Sequence, residues 1–108
     1  MTTGIFFRMS VIRNDLDRFS QDMKERYNCR VVTLINESAD KESVHMGYCV
    51  SNSAGVFNVL MPYEKNERNE YAVTDNTWTV THIQTGEVTD GYKTLGHAME
   101  YILSKDVD

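Results

Sequence analysis

The chain has little of the residues that interrupt regular structure or cross-link a fold. Its 108 residues include one Pro, six Gly and two Cys. So few breakers leave no room for a long flexible linker, and two cysteines are too few for a disulfide framework. The length is close to the common size of one domain, so we predict a single compact domain over residues 1–108.

Long apolar runs and basic clusters are also missing. No run approaches the roughly 20 apolar residues that span a bilayer, and residues 1–15 show neither a basic lead nor a small-residue cleavage site. We therefore expect a cytoplasmic protein with reduced thiols and no membrane partner. Lys and Arg number 11 against 16 Asp and Glu, for a net charge of -5. This balance argues against nucleic-acid binding and suits solubility or a basic partner protein.

Two segments have the apolar spacing of an amphipathic helix. The first covers residues 15–27 and ends before Asn28, a C-cap residue type; its apolar stripe is Leu16, Phe19, Met23 and Tyr27. The second covers residues 95–104 after the N-cap candidate Thr94; its apolar stripe is Leu95, Ala98, Met99, Ile102 and Leu103. Gly96 within it is a candidate for close approach to the sheet.

Alternating and β-branched residues predict strands elsewhere. The predicted strands are residues 5–12, 30–36, 44–50 and 56–61, the second of them well buried and the last two joined by a turn at 51–55. For the first strand, a competing interpretation makes Ser10 the N-cap of a helix that begins at Val11. Pro62 cannot donate to a ladder, so pairing should stop there and leave the strand before it as a sheet edge. Polar residues predict loops over 37–43 and 64–70.

A hairpin is predicted over residues 71–80, with a two-residue turn at Asp75 and Asn76. The implied pairs are Val73 with Trp78 and Tyr71 with Val80. This register places all four side chains on one face, which the stripe of the last helix could cover.

A second turn, at Thr85 and Gly86, would bring Val88 beside Ile83. Successive strands joined by short turns favour antiparallel pairing. We therefore predict an α+β fold whose antiparallel sheet has about five to six strands, with two helices packed mainly on one face.

Motifs for chemistry are missing from the sequence. The candidate metal ligands are Cys29, His45, Cys49, His82 and His97. The closest pair in one strand, His45 and Cys49, would be separated by about 13 Å. There is no nucleophile elbow and no glycine-rich loop that opens a helix. We predict that the protein is not an enzyme and has no cofactor and no bound metal.

Aromatic residues give the positive signal, and it is a signal for recognition. Six Tyr, four Phe and one Trp are more than a small core can bury, and Tyr suits interfaces. The leading hypothesis is a small acidic interaction protein of phage or bacterial type: an inhibitor, an immunity factor or an adaptor. Carboxylate rows would also permit mimicry of nucleic acid. The candidate interaction surface comprises Asp15, Asp17, Asp22, Glu25, Tyr63, Glu64, Glu67, Glu70 and Tyr92.

Two other function classes compete with this hypothesis. A sheet face with exposed aromatic residues would make a binding module for nucleic acid or a small ligand. A hydrolase or transferase would use His82 or His97 with a nearby carboxylate. In each class, a homodimer joined edge to edge would cover the sheet edges, with residues 56–61 as the edge strand.

Overall fold

A seven-stranded antiparallel sheet and two helices make up the part of the chain that the computed structural model describes, residues 5–37 and 43–105. The elements in chain order are β1 (Phe7–Arg8), α1 (Met9–Tyr27), β2 (Arg30–Glu37), β3 (Ser43–Asn52), β4 (Gly55–Lys65), β5 (Glu70–Val73), β6 (Trp78–His82), β7 (Val88–Tyr92) and α2 (Leu95–Ser104). The predicted α+β class is confirmed, although the sheet has more strands than predicted. Most of the predicted loop over 37–43 lies outside the described residues.

Helix α1 begins at Met9, so the predicted strand over residues 5–12 is wrong. Only Phe7 and Arg8 pair with β5, and Arg8 occupies the N-cap position without a side-chain hydrogen bond. The competing interpretation, a helix from Val11, was closer to the structure. Alternating apolar residues suggested a strand here, but helical periodicity continues backwards from the stripe of α1 and prevails.

The buried stripe of α1 is also shifted from the predicted one. Ile12, Leu16 and Met23 are buried, whereas Phe19 is 57% exposed. Asn28 has the left-handed φ of 51° and ends the helix, as predicted for a C-cap. In the described part of the chain, no helix is both long enough and apolar enough to cross a membrane.

Strand β4 is the central strand of the sheet, so residues 56–61 do not form an edge. It pairs with β3 on one side, and on the other side first with β6 and then with β5. Pro62 lies at the point where the neighbouring strand changes from β6 to β5. Its carbonyl accepts a hydrogen bond from Thr74 N at 3.1 Å. Because N–H and C=O of one residue point to the same side of a strand, the missing donor faces this junction. Pairing therefore continues past Pro62.

Strand β2 is an edge strand, and it is less buried than predicted. Val31 faces the core and is 2% exposed, whereas its neighbour Val32 is 65% exposed. The strand itself was predicted, and so was the β3–β4 turn that follows Asn52, whose side chain accepts a hydrogen bond from Ala54 N at 2.8 Å. The nearly continuous run of apolar residues had suggested burial on both faces, which a strand at a sheet edge does not have.

Strands β5 and β6 do not form the predicted hairpin over residues 71–80. They lie one after the other along β4, with Val73 opposite Tyr63 and Val80 opposite Val59. The long β4 offers both strands a partner, and pairing there buries Val80 in the core. Tyr71 belongs to the same core, so the predicted shared face is partly correct although the predicted pairs are not.

The turn at Thr85 and Gly86 joins β6 to β7 as predicted, but with a different register. His82 N donates to Glu87 O at 2.8 Å, and Gly86 N donates to His82 O at 2.8 Å. Val88 lies opposite Thr81 and not beside Ile83. The loop predicted over 64–70 is shorter in the structure, since its two ends belong to β4 and β5.

Helix α2 matches its prediction. The Thr94 hydroxyl accepts a hydrogen bond from His97 N at 3.1 Å and caps the helix. Ala98, Met99 and Ile102 are fully buried and belong to the same core cluster as the buried stripe of α1. Both helices therefore pack on the face of the sheet that carries the core.

Close approach of backbone to backbone occurs at Gly47, and the prediction of such an approach at Gly96 is wrong. A Cβ atom on Gly47 would overlap the carbonyl oxygen of Val59 and lie 3.1 Å from Cζ3 of Trp78. A Cβ atom on Gly96 would meet only Thr94 Oγ1 of its own turn, at 3.8 Å. Gly47 thus leaves room for Trp78.

We predict that Gly47→Ala lowers the free energy of unfolding by about 1–3 kcal/mol, because the added methyl group has no space. The matched control Gly96→Ala should raise it by about 0.5–1 kcal/mol, because alanine favours the helix and the site is open. Urea denaturation followed by circular dichroism measures both changes. Wild-type stability in the Gly47→Ala variant would contradict the packing described for Trp78.

Candidate functional site

An apolar cleft of about 480 Å³ lies between the N-terminal half of α1, the sheet and the start of α2. Two hydrogen bonds fix α1 at mid-length: Tyr48 Oη donates to Leu16 O at 3.0 Å, and Thr33 Oγ1 donates to Asp17 Oδ1 at 2.6 Å. Helix α2 packs on β6 and β7, whereas α1 packs on β2 and β1. The cleft is the space that the two helices leave open over the core face.

Aromatic side chains form a large part of the lining of the cleft. They are Phe7, Phe19, Tyr48, Tyr63, Tyr71 and Trp78. Tyr48 and Tyr71 are buried, and the rings of Tyr48 and Trp78 stack with centroids 6.4 Å apart. Aliphatic residues of α1, β5 and α2 complete the walls, among them Leu16 and Leu95. The floor is therefore closely packed and mostly apolar.

The mouth of the cleft exposes apolar side chains to solvent. Of the seven large apolar side chains exposed among the described residues, four line this cleft. They are Ile5 at 62%, Phe7 at 49%, Val11 at 45% and Phe19 at 57% exposure. Single exposed apolar residues are ordinary, but a contiguous group around a concavity marks an interaction site.

Asp15 is the one charged residue among the described residues that line the cleft. Burial, and secondarily the negative charge of Asp15, raises the pKa of Tyr63 above the usual tyrosine value. Burial also raises the pKa of Tyr48, with smaller contributions from Tyr63, Asp17 and Asp15. The carboxylate of Asp15 and the side chains of Tyr48 and Tyr63 line the same cleft.

The predicted interaction surface is only partly brought together. Of its nine residues, Asp15 and Tyr63 line the cleft. Asp17 accepts the hydrogen bond from Thr33 that holds α1 on β2, and Asp22 forms an ion pair with Arg26 at 3.7 Å. Glu25 is exposed on the outer side of α1.

The remaining predicted residues do not line the cleft. Glu64 is in β4 opposite Ser43 and Ala72, and Glu67 is exposed in the β4–β5 turn. The Glu70 carboxylate accepts a hydrogen bond from the Asn66 amide at 3.0 Å. The Tyr92 hydroxyl donates to Thr89 Oγ1 at 3.0 Å, and its ring contacts Tyr101. These side chains are dispersed over the surface.

Sequence reasoning missed the apolar mouth of the cleft. The signal was present in α1, because Val11 and Phe19 widen its apolar arc beyond the stripe that the core can cover. The prediction that the helix begins at Asp15 excluded Val11 from that arc and placed Phe19 on the buried stripe. The competing interpretation of the N-terminal segment would have revealed the second apolar face.

Neither candidate histidine lines the cleft. His82 Nδ1 lies 2.8 Å from Thr85 Oγ1, and the ring stacks on Phe57 with centroids 4.6 Å apart. His97 is exposed on α2. Within residues 5–37 and 43–105, no group of three or more His, Cys, Asp or Glu could hold a metal ion.

Both cysteines are free thiols: Cys29 lies between α1 and β2, and Cys49 lies in β3. Burial raises the pKa of Cys29, which disfavours the reactive thiolate. Cys29 borders a second, wide-open hollow with Asn28 and Asn52. Nothing in this arrangement indicates a nucleophile.

We predict that Tyr48 and Tyr63 ionise at higher pH in the folded protein than in the unfolded chain, where the tyrosine pKa is about 10. Because the folded pKa is raised, the associated stability is fully present below pH of about 10 and is lost as pH rises further. Tyr63→Phe should reduce this alkaline loss, and Asp15→Asn should lower the pKa of Tyr63. Phenolate absorbance measures the titration. A folded curve that coincides with the curve in guanidinium chloride would contradict the prediction.

Comparison with known proteins establishes family membership. No curated protein matches the chain. A family model matches residues 6–102, which include both walls and the floor of the cleft from Phe7 to Leu95. The protein belongs to a family of unknown function, DUF5634.

Proposed function

We propose that this protein is a small acidic, non-catalytic interaction protein whose cleft receives apolar side chains of a partner polypeptide. The observation that carries the proposal is the group of exposed apolar side chains at the mouth: Ile5, Phe7, Val11 and Phe19. Solvent exposure of such a group is unfavourable, and a partner that covers it gains the corresponding hydrophobic free energy. The partner surface is thus the cleft and not the dispersed carboxylates.

The shape of the site favours a polypeptide partner. Interfaces are usually anchored by a few aromatic or aliphatic side chains that fill pockets, surrounded by a rim that excludes water. Here the cleft can receive an anchor, while Ile5 and Phe19 supply exposed apolar surface at its mouth. A small apolar ligand is the second candidate, because about 480 Å³ lies in the range of small-molecule sites.

The other hypotheses gain less from the structure. On α1, the acidic residues Asp15, Asp17, Asp22 and Glu25 are interspersed with the basic residues Arg13, Arg18, Lys24 and Arg26. Opposite charges so close together weaken any field that would imitate nucleic acid. The acidic residue in the cleft disfavours a nucleic-acid ligand, and His82 and His97 lie outside the cleft. Roles as an inhibitor, immunity factor or adaptor in the cytoplasm remain within this proposal, supported by composition.

An edge-to-edge homodimer would have to use a strand other than residues 56–61, which lie in the central strand. Strand β2 forms one edge of the sheet and exposes Val32. It is therefore the strand that we propose for such pairing, and a solution mass of one chain by light scattering would argue against a dimer.

We predict that Phe19→Ser weakens capture of a polypeptide partner about 30-fold, the effect of losing an anchor of about 2 kcal/mol. The matched control is Ile83→Ser, which removes a side chain of similar exposure from the β6–β7 turn. Both side chains are mostly outside the core, so both variants should fold with near wild-type stability. Tagged proteins expressed in the native host, followed by quantitative mass spectrometry, measure the capture.

Two outcomes would count against the proposal. One is that wild-type protein captures no polypeptide. The other is that Phe19→Ser and Ile83→Ser retain the same partner equally, since the cleft would then play no special part in binding.

A further inference from the structure

We propose that the cleft binds a partner segment that presents a positively charged side chain, Lys or Arg, among apolar side chains. This inference rests on the proposed function and specifies the chemistry of the partner. Three features of the cleft support it: its aromatic lining, its single carboxylate, and the absence of Lys, Arg and His from its described lining residues.

The aromatic lining provides surfaces that attract cations. The face of an aromatic ring carries partial negative charge, and a Lys ammonium or Arg guanidinium positioned over it is stabilised, most strongly over Trp. Trp78 and Tyr63 line the cleft and are partly exposed, whereas Tyr48 is buried and stacks on Trp78. Arg can also stack its planar group on such a ring.

The carboxylate of Asp15 makes the electrostatic potential in the cleft negative. The ion pairs within the described residues are Asp22 with Arg26 and Glu87 with Lys105, so no Lys or Arg there forms an ion pair with Asp15. Asp15 and Tyr63 both line the cleft, so the carboxylate and the phenol belong to the same site. A bound cation would be attracted by Asp15 and by the ring faces together, whereas an anion would be repelled.

The charge of the whole chain acts in the same direction. A net charge of -5 attracts a basic partner over long range and repels an acidic one. Because exposed charges are screened within about 8 Å at physiological salt, Asp15 should control selectivity at the cleft. Fatty acids and other anionic amphiphiles are thus disfavoured as occupants.

Trp78 is the single tryptophan of the chain and lines the cleft, so its fluorescence reports on binding there. The probes are octyltrimethylammonium, octyl glucoside and octyl sulfate, each well below its micelle-forming concentration. They share one alkyl chain and differ in charge. We expect the cation to bind at least about 5-fold more tightly than the neutral probe, and the anion to bind most weakly.

Two variants with the same change in net charge separate a local effect from a general one. Asp15→Asn should remove most of the preference for the cation, whereas Asp22→Asn, on the same helix but outside the cleft, should retain it. Phe19→Ser should weaken binding of the cation and of the neutral probe alike, since both use the apolar mouth.

The outcomes distinguish this inference from the function on which it rests. Equal binding of the three probes, weakened by Phe19→Ser, would overturn the charge selectivity and leave the apolar cleft as the binding site. Equal loss of preference in Asp15→Asn and Asp22→Asn would also overturn it, because the effect would then be a property of the whole surface. Failure of every probe to alter Trp78 fluorescence would overturn it too, while capture of a partner through Phe19 tests the proposed function independently.

Discussion

Pairing along β4 is the constraint on which the rest of the sheet depends. Its 11 residues bind β3 along one side and, in succession, β6 and β5 along the other. This arrangement joins both ends of the chain to one sheet, since β1 attaches through β5 and β7 through β6. Pro62 is tolerated in a central strand because its missing donor falls where one neighbour gives way to the next.

The cleft follows from how the two helices cover this sheet. Hydrogen bonds from Tyr48 and Thr33 hold the middle of α1, and α2 packs on β6 and β7. Between them the core face near Tyr63 and Trp78 stays uncovered, and the first turns of α1 hold apolar side chains above it. Gly47 contributes by leaving space for Trp78 in the wall. The protein thus combines a tightly packed core with an apolar surface that stays exposed within residues 5–37 and 43–105.

Only a small part of the candidate site could be predicted from the sequence. Asp15 was in the predicted interaction surface because carboxylate rows could mimic nucleic acid, and Tyr63 because tyrosine suits interfaces. The other carboxylates were chosen on the same ground, but Asp17, Asp22 and Glu70 have local partners in the structure. Residue type indicates what a side chain can do, whereas its neighbours decide whether it is free to do so. Recognition of Phe19 as a surface residue required the true start of α1.

The sequence by itself determined the elements that depend on neighbouring residues. Thr94 caps α2, Asn28 ends α1, and the β3–β4 turn follows its polar residues, because caps and turns use hydrogen bonds and backbone angles within a few positions. Tertiary structure decided which strands pair. The turn residues Asp75 and Asn76 favoured a hairpin locally, but β4 offered β5 and β6 an alternative that buries Val80. Strand pairing depends on contacts between residues far apart in the sequence, and the cleft results from that pairing.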